Sequence, residues 1–88
     1  MSDRRIIIGI TGAPGAAYGL RLLEVLPELG VETHLVVSRA GALAIEQELD
    51  LPLEAVRKKA TVAYPVGDVG ARIASGSFKT DGMIVAPC

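Results

Sequence analysis

The chain has 88 residues, of which half are hydrophobic, a net charge of −1, and one cysteine, the last residue, Cys88. This length allows one domain, and the near-neutral charge with 3% aromatic residues argues against a nucleic-acid partner, which usually needs a basic face and stacking rings. One cysteine excludes an internal disulfide, and no run approaches the roughly 20 apolar residues that span a bilayer. We therefore expect a cytoplasmic protein without a membrane partner.

The chain begins with a strand pattern that runs into a glycine-rich loop. Residues 5–10, Arg-Ile-Ile-Ile-Gly-Ile, are typical of a strand buried on both faces of a parallel sheet. Glycines at positions 9, 12, 15 and 19 surround the following turn, and the helix expected after it would favour phosphate at its N-terminus. The spacing matches neither G-x-x-x-x-G-K-[ST] nor G-x-G-x-x-G. On spacing alone, an ordinary strand-to-helix turn is equally consistent with the loop.

A helix, a second strand and a second helix follow the loop. Leucines at helical spacing predict the first helix over residues 16–29, with Pro27 ending or kinking it and Gly30 as its C-terminal cap. Residues 31–38 predict the second strand, and residues 39–49, rich in Ala and Leu, predict the second helix.

The rest of the chain is less regular. Asp50 as a cap, followed by Pro52, predicts the start of a short helix that runs towards residue 59. Residues 61–67 are ambiguous between a short strand and a loop, and residues 68–75 predict one or two helical turns. Residues 83–86, Met-Ile-Val-Ala, predict a further apolar strand.

The alternation of strands and helices predicts an α/β protein with a doubly wound parallel sheet, of the Rossmann-like or flavodoxin-like three-layer type. Ligands bind such sheets beyond the carboxyl ends of the strands. Three segments follow those ends here: residues 11–15, Ser38, and Pro87 with Cys88. The last strand has no helix after it to cover the sheet. We therefore expect residues 1–88 to be part of an incomplete domain, truncated or completed by a second polypeptide.

Three segments in a fixed order carry the most specific pattern of the chain. They are residues 9–16, Gly-Ile-Thr-Gly-Ala-Pro-Gly-Ala; residues 34–38, His-Leu-Val-Val-Ser, with Ala40 and Glu46 after them; and residues 73–78, Ile-Ala-Ser-Gly-Ser-Phe, which run into Gly-Met-Ile-Val-Ala-Pro-Cys at 82–88. Together they resemble the N-terminal half of the flavin prenyltransferases of the UbiX type. Older descriptions call these proteins aromatic-acid or 3-octaprenyl-4-hydroxybenzoate decarboxylases.

The resemblance implies a specific activity and its partners. Such enzymes transfer a dimethylallyl group from dimethylallyl phosphate to reduced FMN, and the product serves a UbiD-type decarboxylase, with ubiquinone biosynthesis as the implied setting. It further implies a homo-oligomer. No metal is implied, because the flavin carries the reactive chemistry. The implied FMN-binding residues are Gly12, Ala13, Pro14, Ser38 and Cys88. Pro14 departs from the family's Gly-Ala-Ser-Gly loop, so a hydroxyl and a backbone N–H are missing there.

Several candidate residues have a second interpretation. Ser38 is placed to cap the second helix, to contact the flavin, or both. Glu46 lies on a helix otherwise lined with apolar residues and has two interpretations. In one it relays a proton or orients the substrate, and in the other it belongs to a solvated face. His34 is expected to be packed or partly exposed rather than catalytic, and Cys88 to lie beside the flavin rather than act as a nucleophile. Residues 75–77 suit a phosphate, a subunit contact or a plain polar turn.

Two other functions remain open alongside the prenyltransferase. One is an FMN-dependent decarboxylase of the same family that acts on a cysteine-containing substrate; the Ile-Ala-Ser-Gly-Ser-Phe segment at 73–78 favours the prenyltransferase over it. The other is a non-catalytic FMN-binding fragment that needs a completing chain. This second alternative is supported by the absence of the Ser-Met-Lys-Thr-like segment and of the prenyl-phosphate residues, which the family carries beyond position 88.

Overall fold

The structure is a computed structural model that describes residues 4–67 and 82–86. Its elements in chain order are β1 Arg5–Ile10, α1 Ala13–Val25, a 3₁₀ turn Leu26–Leu29, β2 Glu32–Val37, α2 Arg39–Glu48, α3 Leu53–Arg57, β3 Val62–Ala63 and β4 Gly82–Ala86. The strands among these residues form one parallel sheet in the order β3-β2-β1-β4. The prediction of an α/β protein with a parallel sheet is confirmed.

Helix α1 begins three residues earlier than predicted, at Ala13. Pro14 takes the second helical position, where the missing N–H costs nothing because the first-turn amides have no partner within the helix. At the other end, α1 stops at Val25, and Pro27 lies in the 3₁₀ turn that follows. Gly30 closes that turn with φ of 78° and donates its N–H to the carbonyl of Pro27 at 3.0 Å. The predictions that Pro27 ends or kinks the first helix and that Gly30 caps the C-terminal end of this segment are confirmed.

The predicted start of α3 was wrong in one respect. Pro52, not Asp50, is the N-cap residue, and it provides no side-chain hydrogen bond. Asp50 instead has φ of 52°, a left-handed conformation that aspartate tolerates better than most residues. This residue turns the chain between α2 and α3. The ambiguous segment at 61–67 contains the two-residue strand β3. The helical turns predicted for residues 68–75 lie outside the described residues.

Helices α1, α2 and α3 pack against one face of the sheet. A single cluster of buried side chains joins β1 and β2 to α1, α2 and α3: Ile8, Ile10, Ala16, Leu23, Leu35, Val37, Ala44, Ile45 and Val56. Ile7 and Val36, which alternate with these strand residues, are equally buried. The central strands are therefore covered on both faces, as a continuous apolar run predicts. The candidate site is built on the ends of these buried strands.

Candidate functional site

The carboxyl ends of three neighbouring strands meet at one edge of the sheet. Ile10, the last residue of β1, is in register with Val37 of β2 and with Ala86 of β4. The chain leaves β1 towards β2 on one side and returns to β4 on the other, so the strand order reverses at β1. Parallel sheets bind ligands in the crevice at such a point. We call the residues there, Thr11, Gly12 and Ser38 with the first turns of α1 and α2, the carboxyl edge.

The loop after β1 passes directly into α1. Gly12 is buried and serves as the N-cap, with an extended backbone (φ of −170°) and no side chain to accept from the first amides of the helix. Among the described residues, Gly30 and Gly67 have positive φ, so the loop glycines are not there to adopt a left-handed conformation. The first turn of α1 also contains no acidic residue. Its amides and positive dipole end suit an anionic or carbonyl oxygen.

Ser38 caps α2, as one of its two interpretations predicted. Its Oγ accepts a hydrogen bond from the Gly41 N–H at 2.9 Å, and its own N–H donates to the Ile10 carbonyl at 3.1 Å. Ser38 Oγ also lies 3.4 Å from the same carbonyl oxygen, a long hydrogen bond in which the hydroxyl is the donor. Because that bond is at the limit of hydrogen-bond length, the hydroxyl can turn to a ligand at little cost. Contact with a flavin stays a prediction.

Gly41 is a residue of this edge that the sequence did not reveal. A Cβ at this position would lie 2.1 Å from the carbonyl oxygen of Ile10 and 2.7 Å from its carbonyl carbon, far inside any real contact. The first turn of α2 therefore rests directly on the end of β1. The only signal in the sequence is a glycine inside a helix, where alanine is the better helix former.

Of the other candidate residues, Glu46 is described by the structure and is not brought to this edge. Glu46 lies on α2 and is exposed, as are its neighbours Gln47 and Glu48, whereas Ala44 and Ile45 are buried. In this chain Glu46 belongs to a solvated face, and its catalytic role stays a prediction. Cys88 and residues 75–77 lie outside the described residues.

His34 is packed in a hydrogen-bonded network, which is one of the two environments predicted for it. It is 5% exposed; its Nδ1 shares a hydrogen bond with the Tyr64 hydroxyl at 3.0 Å, and its Nε2 one with the Glu32 carboxylate at 2.5 Å. Arg5 pairs with the same carboxylate at 3.1 Å. The hydrogen bond from His34 holds the pKa of Glu32 below its usual range, and the positive charge of Arg5 lowers it further. Burial has an opposite effect on this pKa, smaller than that of the hydrogen bond. Glu32 and Arg5 start their strands, so this network points away from the carboxyl edge.

The chemical groups at the carboxyl edge suit a phosphate-bearing ligand. Ser38 supplies a hydroxyl, the first turns of α1 and α2 contain no carboxylate, and Arg39 adds a positive charge beside Ser38. The described residues of the edge include no carboxylate, imidazole or thiol, so the groups that they offer are suited to holding a ligand rather than to exchanging protons with it. An FMN phosphate and ribityl chain fit this donor set.

The part of the chain that the structure describes contains neither a membrane-spanning helix nor a cluster of metal ligands. No helix there is long and apolar enough to cross a membrane. No three side chains of His, Cys, Asp or Glu come together there as the ligands of a metal ion would.

Comparisons with known proteins agree on one group of relatives. A family model described as Flavoprotein matches residues 1–88. The chain is 55% identical over 85 residues to the mitochondrial flavin prenyltransferase PAD1 of Saccharomyces cerevisiae, a match that covers 97% of this chain and 35% of the yeast protein.

Two solved structures share the fold. The crystal structure of AnUbiX (PadA1) in complex with FMN and dimethylallyl pyrophosphate has a TM-score of 0.87 and 44% identity, covering 99% of this chain and 46% of that one. A dodecameric FMN-dependent UbiX-like decarboxylase from Escherichia coli O157:H7 has a TM-score of 0.83 and 46% identity, covering 96% and 46%. The chain thus spans between a third and a half of the length of these proteins.

Proposed function

The chain belongs to the flavoprotein family, and we propose that it is the N-terminal part of a flavin prenyltransferase. The proposed reaction transfers a dimethylallyl group from dimethylallyl phosphate to reduced FMN, with release of the phosphate. The family match and the identity to a yeast prenyltransferase confirm the resemblance that the three motif segments indicated. The structural observation that carries the proposal is the carboxyl edge, where the first two of these segments converge on carboxylate-free, anion-compatible ends of α1 and α2.

The proposed flavin contacts are those that the family resemblance implies, and the geometry of this edge supports the ones that fall on described residues. Gly12, Ala13 and Pro14 would offer backbone groups where β1 passes into α1, and Ser38 would donate its hydroxyl to a phosphate or ribityl oxygen. Pro14 has no N–H, so the contact proposed for it is made by the chain around it rather than by an amide. Cys88 is proposed to lie beside the flavin ring. When bound, reduced FMN supplies the ring atoms that accept the prenyl group, and the protein supplies binding and orientation.

Glu46 is proposed as a proton relay. Its position limits that role, because it lies seven residues beyond Arg39, about 10 Å along α2 from the carboxyl edge. A carboxylate in this position could serve the reacting atoms of a flavin that lies between two subunits. We propose such an arrangement, with FMN bound across the strand ends of one subunit and against a second subunit. The dodecameric state of the E. coli relative supports assembly of this kind.

The proposed biological setting extends the same activity. The prenylated flavin would be delivered to a UbiD-type decarboxylase, and completion of the domain by further polypeptide would supply the rest of the prenyl-donor pocket. The proposed compartment is the cytoplasm, on the basis of the single cysteine. The yeast relative is named as a mitochondrial protein.

The test is anaerobic incubation of the complete polypeptide encoded by the gene with reduced FMN and either dimethylallyl phosphate or dimethylallyl diphosphate. Mass spectrometry of the released flavin should show a gain of one dimethylallyl group with at least one of the two donors. A control without the donor should show FMN alone. Unmodified FMN in every reaction would overturn the proposed activity, and tightly bound but unmodified FMN would indicate the non-catalytic alternative.

One observation favours a second function, because the E. coli neighbour is described as an FMN-dependent decarboxylase. Under that alternative, the protein would release CO₂ from a cysteine-containing substrate without any prenyl donor. Measurement of CO₂ in donor-free reactions separates the two, since the prenyltransferase produces none.

A further inference from the structure

We infer that Gly41 is a positioning residue of the flavin site. Because it has no Cβ, the first turn of α2 can rest on the last carbonyl of β1, and this contact sets the Ser38 hydroxyl at the carboxyl edge. The inference rests on the proposed function, since it concerns the binding of FMN at that edge. It assigns a task to a residue outside the motif segments that carry the family resemblance.

The space at Gly41 is closed on the side of β1. A Cβ there would meet the Ile10 oxygen at 2.1 Å, the Ile10 carbonyl carbon at 2.7 Å and the Ile10 Cγ2 at 3.3 Å. The two backbone atoms cannot move away, because Ile10 is fully buried and is held in register between Val37 and Ala86. Any side chain at position 41 therefore has to displace the start of α2.

Ser38 is hydrogen-bonded to the helical turn that contains Gly41, so a shift of that turn affects Ser38. The Gly41 N–H donates to Ser38 Oγ at 2.9 Å, and the Ala42 N–H donates to the Ser38 carbonyl at 2.8 Å. Against these two bonds, the Ser38 N–H holds the residue to the Ile10 carbonyl at 3.1 Å. If α2 moves outward, either the cap breaks or Ser38 leaves the strand end with the helix. In the first case the hydroxyl loses the Gly41 partner that fixes its orientation, and in the second it moves relative to Gly12, on the other side of the proposed flavin site.

Glycine at this position is otherwise unfavourable. It weakens a helix relative to alanine, and α2 is a short helix that has alanine at positions 40 and 42. Its conformation is also helical and not left-handed, so backbone freedom does not require glycine here. The close approach to Ile10 is the remaining reason for a residue without a Cβ.

The test compares Gly41→Ala with a matched control, Gly82→Ala, in the complete polypeptide. At Gly82 the new Cβ would meet Ile6 Cδ1 at an ordinary 3.5 Å, and the position is at the opposite edge of the sheet. In fluorescence titrations, Gly41→Ala should bind FMN about tenfold more weakly, equivalent to about 1.4 kcal/mol, while Gly82→Ala should match the wild type. Equal Kd values for the two variants would overturn the inference.

A double variant separates positioning from general destabilisation. If Gly41 acts through Ser38, then Ser38→Ala and Ser38→Ala/Gly41→Ala should bind FMN alike, because the hydroxyl to be positioned is already gone. Losses that simply multiply would contradict a route through Ser38. A wild-type protein that binds no FMN would instead refute the proposed function itself, and the inference with it.

If Gly41→Ala does not fold, the wild-type protein provides the test. Amide hydrogen exchange of residues 38–42 should slow on addition of FMN, whereas residues 53–57 of α3, away from the carboxyl edge, should be unaffected. Unchanged exchange at 38–42 in an FMN-saturated protein would overturn the inference.

Discussion

Two substitutions of Ser38 separate its role as the cap of α2 from its proposed contact with the ligand. Alanine removes both, whereas aspartate keeps the cap and loses the ligand contact. Ser38→Ala removes the acceptor for the Gly41 N–H and should lower the free energy of unfolding by about 1 kcal/mol. It also removes the proposed donor to an FMN phosphate oxygen. A hydrogen bond to a charged group contributes about 1.5–3 kcal/mol, so FMN should bind roughly 10- to 150-fold more weakly.

Ser38→Asp is the matched variant. Aspartate is as good an N-cap as serine, and its charge stabilises the N-terminus of α2 by about 0.3–1 kcal/mol, so stability should equal or exceed that of the wild type. Its carboxylate would face the flavin phosphate and should weaken FMN binding at least as much as alanine does. Urea denaturation measures the first quantity and FMN titration the second. An aspartate variant that binds FMN as tightly as the wild type would refute the placement of the phosphate beside Ser38.

Three further predictions concern the scaffold. Tyr64→Phe removes the hydroxyl bonded to His34 and should lower the free energy of unfolding by about 1 kcal/mol with no change in FMN affinity; equal stability in urea would contradict the network. The folded-state pKa of Glu32 lies below the unfolded value near 4.5, so its contribution to stability is complete above that pH and is lost as the pH falls through the lower folded value. Glu32→Gln should abolish this part of the acid dependence in stability measurements from pH 7 to 2, and an unchanged acid limb would count against it. Gly67→Ala should lower the melting temperature because φ of 86° costs an alanine about 1–2 kcal/mol, although no atom crowds its Cβ; an unchanged melting temperature would mean that the turn relaxes.

The elements with strong local patterns were predictable. β1 has the predicted bounds, and Pro27 and Gly30 end the first helical segment as predicted. The start of α1 was missed because Gly12, Ala13 and Pro14 have the composition of a loop, although proline is well accommodated in a first helical turn. β3 stayed ambiguous because two residues are too short to show a period. Its pairing with β2 is reinforced by Thr61, whose hydroxyl accepts from the Thr33 N–H at 3.0 Å, a contact distant in sequence.

The candidate site was predictable in part, and for different reasons. The rule that ligands bind beyond parallel strands located Gly12 and Ser38, and the cap at Ser38 followed from a serine placed between a strand and a helix. Gly41 could not be predicted, because its contact with Ile10 depends on how closely α2 packs on β1. The choice of FMN over other phosphate ligands came from the resemblance to a family rather than from the spacing of the glycines.

The central claim is that the carboxyl edge of this sheet binds the flavin. A crystal structure of the complete polypeptide with FMN tests it most directly. The flavin phosphate or ribityl chain should lie within hydrogen-bond distance of Ser38 Oγ and against the backbone of Gly12 at the start of α1. FMN bound elsewhere on the sheet, or in contact with neither residue, would contradict the account.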